Sequence, residues 1–270
     1  MKSLIILGST GSIGTQALEV CERQGYKVNG LAAGGNIELL EKQARKFGVK
    51  AVAVFDSEKA KDLAVKALDS VKEKLDTKYG IMILQPAYTK YHLELGEITS
   101  YPPGYKENGG IFCHNNPWIV LAEAQLGHGG RAFQYFSESC PASYNDRAEV
   151  REIEPYVHGQ FIEGHESPQS GRGHVHWLTG TASTVMVGCV EGILGLRPPP
   201  DGLVISPAIS AEWDGFTMDK TFRGKRLHIT VDNAAHKEGK PAKVLVTGAE
   251  VCGVLTDDVL TDDCQITVVM

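Results

Sequence analysis

Two hydrophobic rhythms alternate through the first quarter of the chain. Short apolar runs at Ser3–Leu7, Lys27–Ala33 and 51–55 are separated by segments, 12–24, 37–47 and 57–68, whose apolar positions recur every three to four residues. Strand and helix in strict alternation predict a parallel sheet with crossover helices, a partial β-α-β unit. After residue 118 the helical spacing returns at 119–126, 131–138, 148–153 and 182–194, interrupted by a Glu-Pro-Tyr turn at 154–156 and a loop rich in Gly, His, Pro and Ser at 164–173. The stiff stretch GLRPPPDG at 195–202 then marks a boundary. Beyond it, β-branched runs at 203–205, 226–231, 243–246 and 265–269 predict a small β-sandwich, with Trp213 as a packing anchor. The pattern is that of a mixed α/β, multi-domain chain divided at 1–68, 69–198 and 199–270.

Residues 79–118 follow neither rhythm. They combine Tyr88, Tyr91, Tyr101, Glu97, His114, Asn115 and Asn116 with Pro102, Pro103 and Gly104, which force irregular backbone. Aromatic rings that cover sugar faces, and carboxylates and amides that bond hydroxyls, give a polar pocket wall this composition; a buried structural loop uses the same residues.

A net charge of −6 without a long Lys/Arg cluster argues against a nucleic-acid or anionic-membrane partner and for small molecules. The six cysteines are scattered with no C-x-x-C pair and read as reduced thiols. No apolar run reaches the roughly 18 residues of a membrane span, and the chain is expected in the cytoplasm without a membrane partner. His174 and His176 flank Val175 but lack a third ligand, so no metal is assigned to them.

The loop Gly8-Ser-Thr-Gly11-Ser-Ile-Gly14 follows a strand and opens a helix, a place where backbone N–H groups hold phosphate. No acid stands about 20 residues on to bond an NAD ribose, which favours NADP. GSTGSIG and the Gly-x-Asn turn resemble the N-terminal NADPH-binding segment of 1-deoxy-D-xylulose-5-phosphate reductoisomerase, a dinucleotide-binding, Rossmann-like unit. The resemblance implies that Thr10, Gly11, Ser12, Ile13, Gly34 and Asn36 touch the cofactor; the plainer reading is that the glycines only permit tight turns. That family's Asn-Lys-Glu word and acidic metal-binding residues have no match here.

The words YHLELGE, SYPPGYKEN, HNNPW and WLTGTAS carry a second resemblance, from about residue 70 to about 250, to the C-terminal part of the cellobiose phosphorylase family of glycoside phosphorylases. It implies the closing helices of an α/α barrel, a homodimer, and inorganic phosphate as the co-substrate that displaces a β-linked sugar with inversion. It also implies phosphate-binding roles for His114, Thr179 and Gly180, and sugar-binding roles for Glu97, Tyr101 and Asn115. The plainer readings are a core histidine at His114 and a helix cap at Thr179. The family's catalytic Asp lies in an Asp-Trp-Asn-Asp word that this chain lacks, so no catalytic residue is assigned and the chain is expected to be a truncated, inactive phosphorylase-like protein. An NADP-dependent reductoisomerase fragment and a non-catalytic carbohydrate-binding protein are the alternatives. A fusion of gene fragments, an assembly error and a deliberate chimera would each produce the join near residue 69. An incomplete barrel exposes apolar helix faces, so self-association is expected.

Overall fold

The computed structural model describes residues 3–270, which fall into two compact units, up to residue 70 and from residue 71. The described residues contain seven α-helices and several sheets, a mixed α/β chain.

The first unit follows the predicted alternation: β1 (Ser3–Leu7), α1 (Ser12–Gln24), β2 (Lys27–Ala33), α2 (Ile37–Phe47), β3 (Ala51–Val54) and α3 (Ser57–Lys74). The strands are parallel in the order β1-β2-β3. Leu18 and Cys21 of α1 and Leu40 of α2 share a core with Val28, Leu31 and Ala33 of β2. Gly25 and Gly48 end α1 and α2 in the left-handed region, and Asn36 accepts the Leu39 N–H to start α2. On the opposite face large apolar side chains stand exposed. Ile5, Gly30 and Ala51 form one lateral row across the strands and Leu7, Ala32 and Ala53 the next; Ile5 is 68% exposed, Leu7 79% and Phe55, two residues past Ala53, 94%. Helix α3 runs on past residue 68 to Lys74, a continuity that the absence of Gly and Pro from 64 to 75 predicts.

In the second unit the chain forms the hairpin β4 (Asp76–Thr77) and β5 (Gly80–Ile81), the long polar stretch, then β6 (Ile111–Phe112), α4 (Asn116–Leu126), α5 (Gly129–Ser139) and α6 (Ala148–Arg151). Strands β7 (Phe161–Ile162) and β8 (Gly173–His174) join β6 in a three-stranded antiparallel sheet. The predicted helix 182–194 is two segments: α7 (Thr181–Val187) and a π-helical turn, Gly188–Ile193. Gly188 and Gly192 let this piece approach α4 closely, since a Cβ on Gly188 would stand 3.0 Å from Pro117 and one on Gly192 3.3 Å from Leu121.

The last third departs from the predicted β-sandwich. After the short antiparallel pair β9 (Leu196–Arg197) and β10 (Val204–Ile205), strands β11 (Gly215–Phe222), β12 (Lys225–Asp232), β13 (Lys243–Val246), β14 (Ala249–Val251) and β15 (Cys264–Val269) form one five-stranded sheet, ordered β11-β12-β15-β13-β14. Its inward residues Leu227, Ile229, Val231, Ile266 and Val268 belong to the same core as Val120, Ala124, Ala132 and Tyr135 of α4 and α5. Helices α4 and α5 and the β9–β10 pair, through Leu196 and Ile205, share the core on that face. Trp213 is the anchor its position suggested, its ring edge-on to Phe133 with centroids 5.1 Å apart.

Candidate functional site

The polar stretch before β6 is held by buried amides in place of regular strands. Asn108, fully buried, donates to the carbonyls of Tyr88 (2.9 Å) and Tyr101 (2.7 Å) and accepts the Tyr88 N–H (2.7 Å). The Thr99 hydroxyl accepts the His92 N–H at 2.8 Å. Gly104, at φ 80°, passes so close to Ser167 that a Cβ would fall 2.4 Å from its nitrogen. This frame carries a 3-10 turn, Gly96–Ser100, that sets Glu97 one turn before Tyr101. The Tyr101 hydroxyl donates to Glu97 Oε1 at 3.0 Å, and Lys106 Nζ lies 5.0 Å from the Tyr101 ring centroid. The hydrogen bond to Glu97 raises the Tyr101 pKa above its ordinary value. Two of the sequence-predicted sugar residues are therefore in direct contact.

His114 and Asn115 stand where β6 turns into α4. The His114 ring is edge-on to Phe112 (centroids 4.6 Å apart) and to Trp118 (6.2 Å), and neither ring nitrogen is hydrogen-bonded to a described residue. It is half-buried. Asn115 borders a cavity of about 200 Å³ with Trp118, Ile119 and Ile83. The next residue, Asn116, is buried and committed to structure: it accepts the Ile81 N–H at 2.7 Å and donates to the carbonyls of Ile81 and Phe112, both at 3.1 Å.

Thr179 and Gly180 lie at the start of α7. The Thr179 Oγ1 accepts the Thr181 N–H at 3.2 Å and pairs with the Thr181 hydroxyl at 2.8 Å, while Thr181 donates to the Gly159 carbonyl at 3.0 Å. The helix N-cap is Gly180, without a side-chain cap, so Thr179 is not the cap that one reading of the sequence offered; its hydroxyl makes a local turn with Thr181 just ahead of α7. The Gly180 N–H has no acceptor among the described residues, and Gly180 is exposed. Helices α4 and α7 pack together at the Gly188 end, roughly 12 Å of helix away from Gly180 at 1.5 Å per residue. That contact alone does not bring Gly180 to His114.

Three features had no signal in the sequence. Glu163, buried, accepts from His174 Nε2 at 2.6 Å and from the Ser167 hydroxyl; the His174 ring stacks on Phe161 with centroids 4.7 Å apart. This network fixes the β7–β8 hairpin that leads into Trp177–Gly180, and His176 beyond it is exposed. Arg151 is 3% exposed with Nε and Nη2 unpaired among the described residues, and its guanidinium lies 5.5 Å from the Tyr144 ring centroid. Burial pushes the nearby Cys113 thiol up to about 12, and burial with the Arg151 charge pushes His158 down to about 4. Finally, Glu138 shares Gln134 with Asp76 and Lys72, and burial raises its carboxyl to about 7.

In the first unit the Gly8–Gly14 loop is a tight turn in which a Cβ at Gly14 would lie 2.2 Å from the Gly8 carbonyl oxygen. Gln43 holds the loop by donating to the Ser9 carbonyl at 2.8 Å. Thr10 is half-buried; Gly11, Ser12 and Ile13 are exposed at the rim, as is Gly34. Asn36 borders a cavity of about 830 Å³ with Gly35, Lys59, Asp62 and Lys66.

Residues 25–195 match the catalytic domain of the glycosyl hydrolase 94 superfamily, and the chain belongs to that family. Among its relatives are the N,N'-diacetylchitobiose phosphorylase of Vibrio furnissii, 33% identical over 261 residues, which are 93% of this chain and 32% of the relative, and the solabiose phosphorylase of Paenibacillus borealis, 30% identical over 70% of this chain and 25% of the relative. The chain is thus a glycoside-phosphorylase-like protein that spans about a third of the length of the curated relatives it matches. A 65-residue stretch is 55% identical to the 1-deoxy-D-xylulose 5-phosphate reductoisomerase of Thermoanaerobacter, covering 23% of this chain and 17% of that protein. The family match begins at residue 25, upstream of the words near residue 70 that first suggested it. No helix among the described residues is long and apolar enough to cross a membrane.

Proposed function

We propose that the second unit carries the phosphate and acceptor-sugar half of a glycoside phosphorylase site, and that alone it binds these ligands without turning them over. The observation that carries this reading is the His114 imidazole, half-buried at the start of α4 with both nitrogens uncommitted inside the family word HNNPW. An imidazole donates to a phosphate oxygen; the Gly180 N–H adds a backbone donor and the Thr179 hydroxyl a third, once released from Thr181. Glu97 and Tyr101, already paired, present a carboxylate and a ring edge suited to sugar hydroxyls, and Asn115 takes the third sugar role that the resemblance implies. Protonation of the departing glycosidic oxygen, worth roughly 10²–10⁴-fold in rate, has no donor in the Asp-Trp-Asn-Asp word, which this sequence lacks.

Calorimetry with inorganic phosphate, and then with glucose or N-acetylglucosamine, tests the binding. His114→Ala should abolish phosphate binding and Glu97→Gln sugar binding. A coupled assay for phosphate release from α-glucose 1-phosphate plus glucose should read background; turnover like that of an ordinary enzyme would refute the inactivity. Saccharide binding without any phosphate binding would favour a plain carbohydrate-binding protein. As a second reading, the tight Gly8–Gly14 turn and the Asn36 cavity with Lys59 and Lys66 support NADP binding by the first unit. Titration of NADPH fluorescence tests it, with micromolar affinity expected and its absence leaving the glycines structural.

A further inference from the structure

Between β8 and α7 the chain takes a backbone that its own side chains disfavour. Val175 stands at φ 51° and Trp177 at φ 67°, in the left-handed region that branched and bulky residues rarely enter. Such a conformation persists only where the surroundings hold it, and here they hold it at both ends. On one side His174 is bonded to Glu163 and stacked on Phe161. On the other, the Trp177 indole N–H donates to Glu154 Oε1 at 3.1 Å, and the Tyr156 ring meets the indole edge-on with centroids 6.3 Å apart. Both rings nevertheless face solvent, Trp177 being 63% exposed and Tyr156 73%. An indole that packed the core would be buried, and one that only tipped a loop would relax to an ordinary backbone. Trp177 is neither: its polar edge is fixed and its face is open.

The chemistry of that face and its place in the chain identify the ligand. A rigid aromatic ring with one bonded edge suits a flat partner that is apolar on its faces and polar at its rim, as a pyranose is. Trp177 stands two residues before Thr179, so at most about 7 Å of extended chain separates it from the first of the proposed phosphate donors. A ligand that uses both carries a ring and a phosphate side by side. We infer that Trp177, held by Glu154 and edged by Tyr156, is the stacking platform for the pyranose ring bonded to phosphate, the glycosyl unit of an α-sugar 1-phosphate. The inference rests on the phosphate reading of Thr179 and Gly180 and adds the surface on which the transferred sugar lies. Glu97 and Tyr101 remain the residues of the acceptor sugar.

Calorimetry and tryptophan fluorescence on the full chain test this with three probes: α-glucose 1-phosphate, methyl α-glucoside, which lacks the phosphate, and inorganic phosphate, which lacks the ring. Both sugars should quench the fluorescence. Trp177→Ala, folded by circular dichroism, should weaken both sugars at least tenfold and leave inorganic phosphate within twofold, while Trp177→Phe, which keeps a ring, should bind the sugars within about threefold of the parent. Glu154→Ala, which frees the indole, should weaken the sugars several-fold and lower the tryptophan anisotropy; unchanged values would overturn its positioning role. Sugar binding by Trp177→Ala equal to that of the parent overturns the platform. So does a parent that binds neither sugar, or a Trp177→Ala protein that loses inorganic phosphate as fully as it loses the sugars, since the residue would then act on the fold. Methyl α-glucoside binding that depends on Trp177, with no binding of inorganic phosphate by either protein, would refute the phosphate site while the platform stands, so the two failures are distinct.

Discussion

His174 Nε2 lies 2.6 Å from the Glu163 carboxylate, while the same imidazole stacks on Phe161 at an interplanar angle of 8°. Glu163 is 4% exposed, so its two oxygens depend on His174 and the Ser167 hydroxyl for the bonds that water would otherwise supply. Replacing it by Gln weakens an ionic acceptor and presents an amide to a donor. Glu163→Gln is expected to destabilise the second unit by about 2–4 kcal/mol, the range for breaking a buried hydrogen-bonded pair. Urea denaturation measures this, and an unchanged midpoint would count against the network.

Stability of the second unit should fall as pH rises toward 7. Glu138 has a folded pKa of about 7 against an ordinary 4.5, chiefly because it is buried, with the Asp76 carboxylate raising it further and Lys72 and Gln134 opposing. Between those values the unfolded chain has released the proton that the fold retains, so the contribution is fully present below 4.5 and is lost as pH climbs through 7. Glu138→Gln removes this titration. The variant should gain in melting temperature relative to the parent between pH 5 and pH 8; a constant difference across that range would refute the assignment.

The Tyr101 phenol reports on Glu97. Because the hydrogen bond to Glu97 is the main cause of its raised pKa, Glu97→Gln should bring the phenol back toward its ordinary value, and ultraviolet titration of the difference between the two proteins reads it. Sugar affinity should fall at least tenfold in the same variant. A shift without loss of binding would separate the pair from the sugar role.

The exposed sheet face of the first unit should govern self-association. Ile5, Leu7 and Phe55 project from a face that also carries Gly30, Ala32, Ala51 and Ala53, with Lys27 beside Ser3 at its end. Phe55→Lys, at a 94% exposed position, is expected to lower light scattering at a given concentration without lowering the melting temperature. Scattering equal to that of the parent would place the association elsewhere.

What the sequence determined by itself were the properties with short range. The strand and helix rhythm of residues 3–68 is recovered element by element, because period and turn chemistry act within a few residues. The Glu97–Tyr101 contact follows from one turn of local backbone. The words YHLELGE, HNNPW and WLTGTAS carried the family. Their roles within the fold were not carried with them: of the neighbours in HNNPW, His114 remains open and Asn116 is spent on Ile81 and Phe112, and the Thr179 hydroxyl bonds Thr181. Only tertiary structure decided the role of Asn116, since its partner Ile81 stands 35 residues away. The same holds for the last third. Alternating apolar residues in β12 and β15 specify that one face of a sheet is buried, but a second sheet and a pair of helices satisfy that demand equally well. Here Val120, Ala124, Ala132 and Tyr135 of the helices share that core with Leu196 and Ile205 of the short β9–β10 pair, in place of a full second sheet. Alternation fixes which side chains must leave water; what meets them depends on residues distant in sequence.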